Sequence, residues 1–297
     1  MRPLLVFFLL LAAAPAAEKI PVLILTGRNN HDWKRSTPLL RGALEATGRF
    51  AVTVSESPPP FPQPPPPRPG KDADDAGKAA HASAHAAWQA ADRAFNQAQQ
   101  PEWDRWLPDF KAHRVVVNDY NGRDWSGPMK AAFTAFVRAG GGLVNVHAAN
   151  NGFRNWTEFN QMIGMGFRGA DGPRWVVDDA TGRPLELPAG SEVGRVGETA
   201  GHGDFHAFTV VHRRPDHPIL RGLPTRWLHG KDELYHGQRG PALDLEILAS
   251  AYSDPARRGS GRHEPVLWTT RFGQGRVVTT SLGHLWPGHP ATDALDC

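Results

Sequence analysis

The feature that most constrains this chain is a glycine-launched apolar run that stops on a histidine. It reads Gly140-Gly141-Gly142-Leu143-Val144-Asn145-Val146-His147, and Ala148-Ala149-Asn150-Asn151-Gly152 follows. A continuous apolar stretch of this kind suits a strand covered on both faces, as in parallel sheets flanked by helices. The small residues after it predict a tight strand-to-helix turn. Open α/β folds use such turns to hold a reactive side chain at the sheet edge. Ser or Cys commonly stands there; here the residue is His147.

Other segments repeat the alternation of strand and helix. Residues 20–26 form an apolar run, and a polar loop follows to Trp33. Thr37 as N-cap and Pro38 at the first helical position predict a helix over 37–47. Strands are expected at 50–54 and 114–119, with helices at 126–138 and 156–163 around the strand that carries His147. The pattern predicts an α/β fold of three layers with a mostly parallel central sheet and right-handed crossovers. Further strands are expected at 208–211 and 245–252, and a hairpin at 265–271 and 275–280 turns on Phe272-Gly273-Gln274-Gly275. Residues 168–201 are polar and glycine-punctuated and predict an irregular excursion. Residues 217–224 read as a turn-rich connection.

Residues 58–100 read as an insertion into this pattern. They open proline-rich and continue Ala-, Gln- and His-rich, with too thin an apolar face for a core helix. His81 and His85 have the spacing to share one helix face, but a solvated helix outweighs a metal pair there. After Trp286 no helical pattern is legible, so the helix that usually closes such a sheet is expected to be missing.

Residues 1–16 read as a signal peptide: Arg2, an apolar run over 4–14 and the small-residue site Ala14-Pro15-Ala16. A single α/β domain over 17–297 would then be exported, to the periplasm or outside the cell. The apolar run is shorter than the roughly 20 residues of a membrane-spanning helix, so no stable membrane span is expected after cleavage. The chain has one cysteine, Cys297. It therefore predicts no internal disulfide and no thiol nucleophile within the fold. The net charge is +3 with Lys and Arg scattered, which argues against a nucleic-acid partner.

Three histidines, His31, His147 and His284, follow expected strand ends and so share the carboxyl edge of the sheet, where α/β folds bind ligands. Asn29, Asn30, Asp32, Asn150 and Asn151 add groups suited to a hydroxyl-rich ligand, since each offers donors, acceptors or both. Trp33, Trp125 and Trp286 offer stacking faces. Asp232-Glu233-Leu234-Tyr235 supplies Glu233 as a general base or ligand beside the aromatic Tyr235. His202 and His206 offer a weaker pair for a divalent metal, because the glycines around them oppose a helix. Each residue also has a structural reading. His147 can position its loop, His31 and His284 can be surface residues, and Glu233 can cap a helix or pair with an Arg. His212, His217, His229, His236 and His289 read as structural or exposed, and His263-Glu264 as a positioning pair.

Taken in order, several pieces resemble a ThuA-like domain, the trehalose-utilisation family of the class I glutamine amidotransferase-like superfamily. They are Thr26-Gly27-Arg28-Asn29-Asn30-His31-Asp32-Trp33, the run from Gly140 to Ala149, His217-Pro218-Ile219 with Gly222-Leu223-Pro224, Asp232-Glu233-Leu234-Tyr235, and Phe272 to Val277 through Gly283-His284. The similarity spans about 20–284, apart from the insertion. It implies a flavodoxin-like fold with His147 at the elbow where glutamine amidotransferases hold a catalytic Cys. Glutaminase chemistry needs a thiolate, so amidotransferase activity is not expected. The family implies carbohydrate catabolism, including trehalose and keto-sugars. The leading expectation is an exported enzyme, a hydrolase, lyase or isomerase, that processes a glycoside, disaccharide or keto-sugar. His147 would be its acid/base or a metal ligand, His31 and His284 would assist, and Glu233 would be the partner carboxylate. The alternatives are a non-catalytic sugar-binding or scaffold module, and a metal-dependent hydrolase using His31, His147 and His202. A divalent metal is the one cofactor considered, and a small carbohydrate the one partner.

Overall fold

Strands that are apolar on both sides need helices on both faces, and the first half of the chain supplies them. The computed structural model describes residues 18–288 apart from 171, 189 and 193–195. The leader over 1–16, His289, Cys297 and the stretch where a closing helix would stand lie outside the described residues. The chain order is β1 (Ile20–Thr26), α1 (Trp33–Ala46), β2 (Phe50–Glu56), α2 (Asp75–Ala98), α3 (Gln100–Arg105), β3 (Val115–Asn118), α4 (Gly127–Arg138), β4 (Gly142–Val146) and, after a 3-10 turn over His147–Asn151, α5 (Thr157–Ile163). Strands dominate the second half: β5 (Val176–Asp178), β6 (Pro184–Glu186), β7 (Gly201–His202), β8 (His206–His212), β9 (Arg226–Asp232), β10 (Tyr235–His236), β11 (Glu246–Tyr252), β12 (His263–Phe272) and β13 (Gly275–Thr280). No helix among the described residues is long and apolar enough to cross a membrane.

Alternate residues of β1 go to opposite faces, as strand geometry requires. Leu23 and Leu25 join Val116, Leu143 and Val277 in a core with Phe133 and Val137 of α4 and Phe159 and Met162 of α5. Val22 and Ile24 join Val52 and Val117 beneath Leu40 and Leu44 of α1. One face is thus covered by α1 and the other by α4 and α5. Trp268 of β12 is fully buried and donates its Nε1–H to the Ile163 carbonyl at 2.7 Å, which pins α5 to the sheet.

The main sheet runs β2-β1-β3-β4-β13-β12-β11-β8-β9, with β5 on β12 and β6 on β5. From β2 to β13 all pairings are parallel, in the flavodoxin-like order. From β13 onward they are antiparallel. The sheet is therefore mixed, with antiparallel pairing in the larger share, and the expected mostly parallel sheet is corrected. The reason is connectivity. Parallel neighbours need a long crossover, commonly a helix, and no α-helix follows α5 among the described residues. The later strands return through turns and loops and so pair antiparallel.

Two local expectations also change. α1 begins at Trp33, with Asp32 at the N-cap position, so Thr37 is no cap. Thr37 is buried, and its hydroxyl lies 2.8 Å from that of Thr26, tying α1 to the end of β1. Pro38 then sits inside the helix, where it forgoes one backbone bond. Residues 168–201 hold the β5–β6 hairpin rather than a wholly irregular path. In the 58–100 segment, α2 buries none of its side chains. That segment is held from below by Arg28, which donates to the Pro58 and Pro59 carbonyls at 3.0 and 2.5 Å and to Asn96 Oδ1 at 3.0 Å while its guanidinium lies over Trp103.

Candidate functional site

Four chain segments end at one place. β1 leads to His31, β4 to His147, β9 to Glu233 and β13 to His284. One ligand atom from each of these four residues lies within 4.8 Å of the others, and all four residues are buried. The readings of His31 and His284 as surface residues are therefore replaced. Glu233 faces histidines rather than an Arg: His284 Nδ1 at 3.2 Å, His202 Nε2 at 3.4 Å and His31 Nε2 at 4.0 Å.

The backbone explains the convergence. β4 and β13 are parallel neighbours in register at Val146 and Thr280, so His147 and Ser281 leave the sheet side by side. His147 has φ +43°, a left-handed conformation uncommon for a side chain other than Gly and typical of a strained functional turn. Its Nδ1 lies 2.6 Å from the Ser281 carbonyl. A carbonyl only accepts, so His147 carries its proton on Nδ1 and presents Nε2 to the pocket. Gly283, at φ +115°, lets the chain turn so that His284 enters beside it. Asp32 N–H donates to the Leu285 carbonyl at 2.8 Å, which joins the His31 loop to the His284 loop.

Asp232 supports the carboxylate side. It is fully buried and accepts from Glu233 N–H at 2.6 Å, Gly283 N–H at 3.0 Å and His229 Nε2–H at 2.8 Å. It therefore links the exit of β9 to the exit of β13, although these strands stand far apart in the sheet order. Sequence reasoning saw Asp232 only as Glu233's neighbour and missed this role, because its partners are distant in the chain.

The charges follow from burial and partners. Burial, with His147 and His284 adding to it, lowers His31 to about 3. Burial also lowers His147, against the pull of Asp232. Both rings are therefore neutral near neutral pH. Burial alone would raise Glu233, but the hydrogen bond from His284 and the nearby His202, His284 and His147 outweigh it and hold the carboxyl at about 2. Tyr235 is pushed well above the ordinary phenol value by burial, then by Glu233 and Asp232. It stays a phenol, with its hydroxyl 3.3 Å from His147 Nε2. His202 is the exposed member, at 40 % side-chain exposure. Its Nδ1–H is committed to the Gly203 carbonyl at 2.9 Å, which aims its Nε2 at Glu233.

The remaining candidates divide. Asn29 braces rather than lines the pocket: its Oδ1 accepts from His31 N–H at 3.0 Å and His31 Nδ1–H at 3.3 Å, and its amide donates to Asp119. Asn30 accepts from Asn121, Asp32 precedes α1, and Trp33 lies under the Lys34 ammonium. Asn150 is buried and donates to Gln238, while Asn151 meets the Tyr235 hydroxyl. The amide-lined rim expected from sequence is thus largely a set of internal braces, as short amides beside turns often are. Of the three tryptophans, Trp125 is buried in the core of α4. Trp286, 37 % exposed, stands 4.9 Å from the His31 ring, centroid to centroid. The proposed His202–His206 pair is not formed as a metal site. His202 turns to Glu233, and His206 Nδ1 is tied to the Asp204 carbonyl at 2.6 Å. A cleft of about 730 Å³ at the opposite ends of the same strands, lined by Leu107, Phe110, Phe136 and Gly141 among others, gathers no such histidine–carboxylate cluster. Donor chemistry rather than volume marks the site.

The ThuA family model, described as trehalose utilisation, matches residues 79–287, more than half of the chain. The chain belongs to the ThuA family. The matched stretch begins inside α2, so it takes in part of the segment read as an insertion. It contains His147, Glu233 and His284 and leaves out His31. A ThuA-like protein from Parabacteroides merdae is 31% identical, with 94% of this chain and 84% of that chain covered and a TM-score of 0.69. One from Bacteroides uniformis is 14% identical, covers 92% of this chain and 86% of its own, and has a TM-score of 0.52; it shows the shared fold. No curated protein matches the sequence.

Proposed function

We propose that this ThuA-family protein is a carbohydrate-processing enzyme, acting on a glycoside, disaccharide or keto-sugar at the pocket centred on His147. The observation that carries this reading is the meeting of His31, His147, Glu233 and His284 within 4.8 Å at the strand ends. Ligands of α/β sheets bind at that edge, and the family's description as trehalose utilisation supports a sugar as the substrate. The sequence of residues 1–16 supports export, so the substrate would be met outside the cytoplasm.

In this reading Trp286 offers a sugar ring an aromatic face at the mouth. The Tyr235 O–H donates a hydrogen bond to a carbonyl or hydroxyl oxygen of the sugar, where negative charge develops. His202, the exposed ring beside Glu233, exchanges a proton with a sugar oxygen. The buried imidazoles fix the reacting end of the sugar. The test is turnover of trehalose and a panel of keto-glycosides, followed by nuclear magnetic resonance and mass spectrometry. His147→Ala and His202→Gln are each expected to lower kcat/KM by about 10²–10⁴-fold. Unchanged turnover in both variants, or ligand binding by the native chain with no product from any substrate of the panel, overturns the proposal.

A further inference from the structure

The two histidines at the centre of the pocket each have one N–H, and both are taken. His147 Nδ1–H goes to the Ser281 carbonyl at 2.6 Å and His31 Nδ1–H to Asn29 Oδ1 at 3.3 Å. Asn29 is itself oriented, because its amide donates to Asp119 and its Oδ1 accepts from the His31 backbone. The two Nε2 atoms therefore carry lone pairs, and they lie 3.3 Å apart. The Glu233 carboxylate adds a third electron-rich atom, Oε2, 4.0 Å from His31 Nε2 and 3.2 Å from His284 Nδ1. The Tyr235 hydroxyl can donate to His147 Nε2 at 3.3 Å, which leaves the His31 electron pair still facing its neighbours. Electron pairs and a carboxylate crowded into a buried space repel unless a cation lies between them.

We propose that His31 Nε2, His147 Nε2, a ring nitrogen of His284 and a carboxylate oxygen of Glu233 bind one divalent transition-metal ion of the Zn²⁺ class. The inference rests on the same pocket as the carbohydrate reading and says what its centre holds. Three imidazoles and a carboxylate are donors of the right type for such an ion. Bonds of about 2.0–2.1 Å place tetrahedral ligand atoms about 3.3 Å apart. The His147–His31 separation, 3.3 Å, is of that size, whereas the 3.2 Å His284–Glu233 contact is the hydrogen bond already described. The widest spacing, 4.8 Å, exceeds the roughly 4.2 Å that two ligands of one such ion can span, so binding draws one side chain inward by several tenths of an ångström.

The outer shell agrees independently. A metal-bound imidazole ordinarily donates its other N–H to a carbonyl or carboxyl-type oxygen, which fixes ring and tautomer. His147 and His31 both do so. Asp232 holds Glu233 N–H and Gly283 N–H on one buried carboxylate, which sets the spacing between the Glu233 and His284 ligands. When bound, such an ion polarises a sugar carbonyl or hydroxyl oxygen as a Lewis acid.

The experiment uses the purified full chain, dialysed against a chelator and then titrated separately with Zn²⁺, Mn²⁺ and Co²⁺. Calorimetry and elemental analysis read the result, and circular dichroism confirms that each variant is folded. One ion per chain is expected for at least one of the three metals, with visible absorption if Co²⁺ binds. His147→Ala and His284→Ala should weaken binding at least 100-fold, and Asp232→Asn by about 10–100-fold. His206→Ala, outside the ligand set, should bind as the native chain does. A folded native chain that takes up none of the three ions overturns the proposal, and so does equal affinity in a folded His31→Ala/His147→Ala double variant. Metal uptake without sugar turnover supports the centre and counts against the carbohydrate reading. Full turnover after complete metal removal does the reverse.

Discussion

Glu233 and Glu264 are both buried carboxyls in the antiparallel half of the molecule, and they have opposite chemistry. Glu233 stands at the exit of β9 among His284, His202 and His31, and the hydrogen bond from His284 with the nearby His202, His284 and His147 holds it at about 2. Glu264, in β12, is fully enclosed. Burial pushes it up to about 8, although Ser260 Oγ–H at 2.7 Å, Trp175 Nε1–H at 3.3 Å and the Gly237 backbone all donate to it. Desolvation acts on both groups in the same direction. At Glu264 those donors and the nearby Arg262 charge do not overcome it, whereas at Glu233 a shell of histidines does. The comparison separates a carboxylate placed for chemistry from a neutral carboxyl that fastens the sheet to the β5 region. It also revises the sequence reading of Glu264, whose partners are Ser260 and Trp175.

The largest expected effect is at Glu233. Glu233→Gln keeps the shape and removes the charge, and it should lower turnover of the sugar substrate by about 10²–10⁴-fold while the melting temperature stays near that of the native chain. A folded variant with native turnover would place Glu233 in the same structural class as Glu264.

The next effect is on stability at Glu264. The folded chain keeps this proton up to about pH 8, whereas the unfolded chain releases it near the ordinary value of 4.5. The folded state therefore binds more protons between these limits. The group favours folding most below about pH 4.5, and that advantage falls as pH rises and levels off above pH 8. Glu264→Gln cannot titrate. The stability of the native chain minus that of the variant should thus decrease from pH 4.5 to 8, by an amount on the order of a few kcal/mol. Urea unfolding of both chains across this range measures it; a difference independent of pH would mean that Glu264 stays ionised.

The smallest effect is at the mouth. Trp286→Ala removes an exposed ring beside His31 and should raise KM about fivefold, on the order of 1 kcal/mol, with kcat little changed. A fall in kcat at constant KM would place Trp286 in the support of His31 instead of in substrate binding.

How much was legible varies with the range of the interactions. β1, β4 and the β12–β13 hairpin were readable because their apolar runs are continuous and end in glycine-rich turns. His31, His147 and His284 were readable for the same reason: each follows a strand whose end is marked. β9 was missed. Its pattern mixes exposed and buried residues, with Leu228 67 % exposed and the polar His229 and Asp232 buried, and an edge strand with a wet face shows no clean apolar period. The contact of His202 with Glu233 depends on the two-residue pairing of β7 with β10, too short to leave a pattern. Trp125 was misplaced because a tryptophan in a buried aromatic cluster and one at a binding mouth look alike in sequence.

The sequence by itself determined the alternation that builds the parallel half, the elbow at His147 and the absence of a thiol within the described fold, because these depend on local periodicity and residue chemistry. Only the tertiary structure decided which carboxylate joins the histidines. Glu233 comes from the far end of the strand order and is held there by Asp232, through N–H groups of its own neighbour and of Gly283. A hydrogen bond across 51 residues has no local periodicity from which it could be read. The pocket's charge depends on it, because burial sets the cost of each ionised group and long-range partners decide which of them stays ionised.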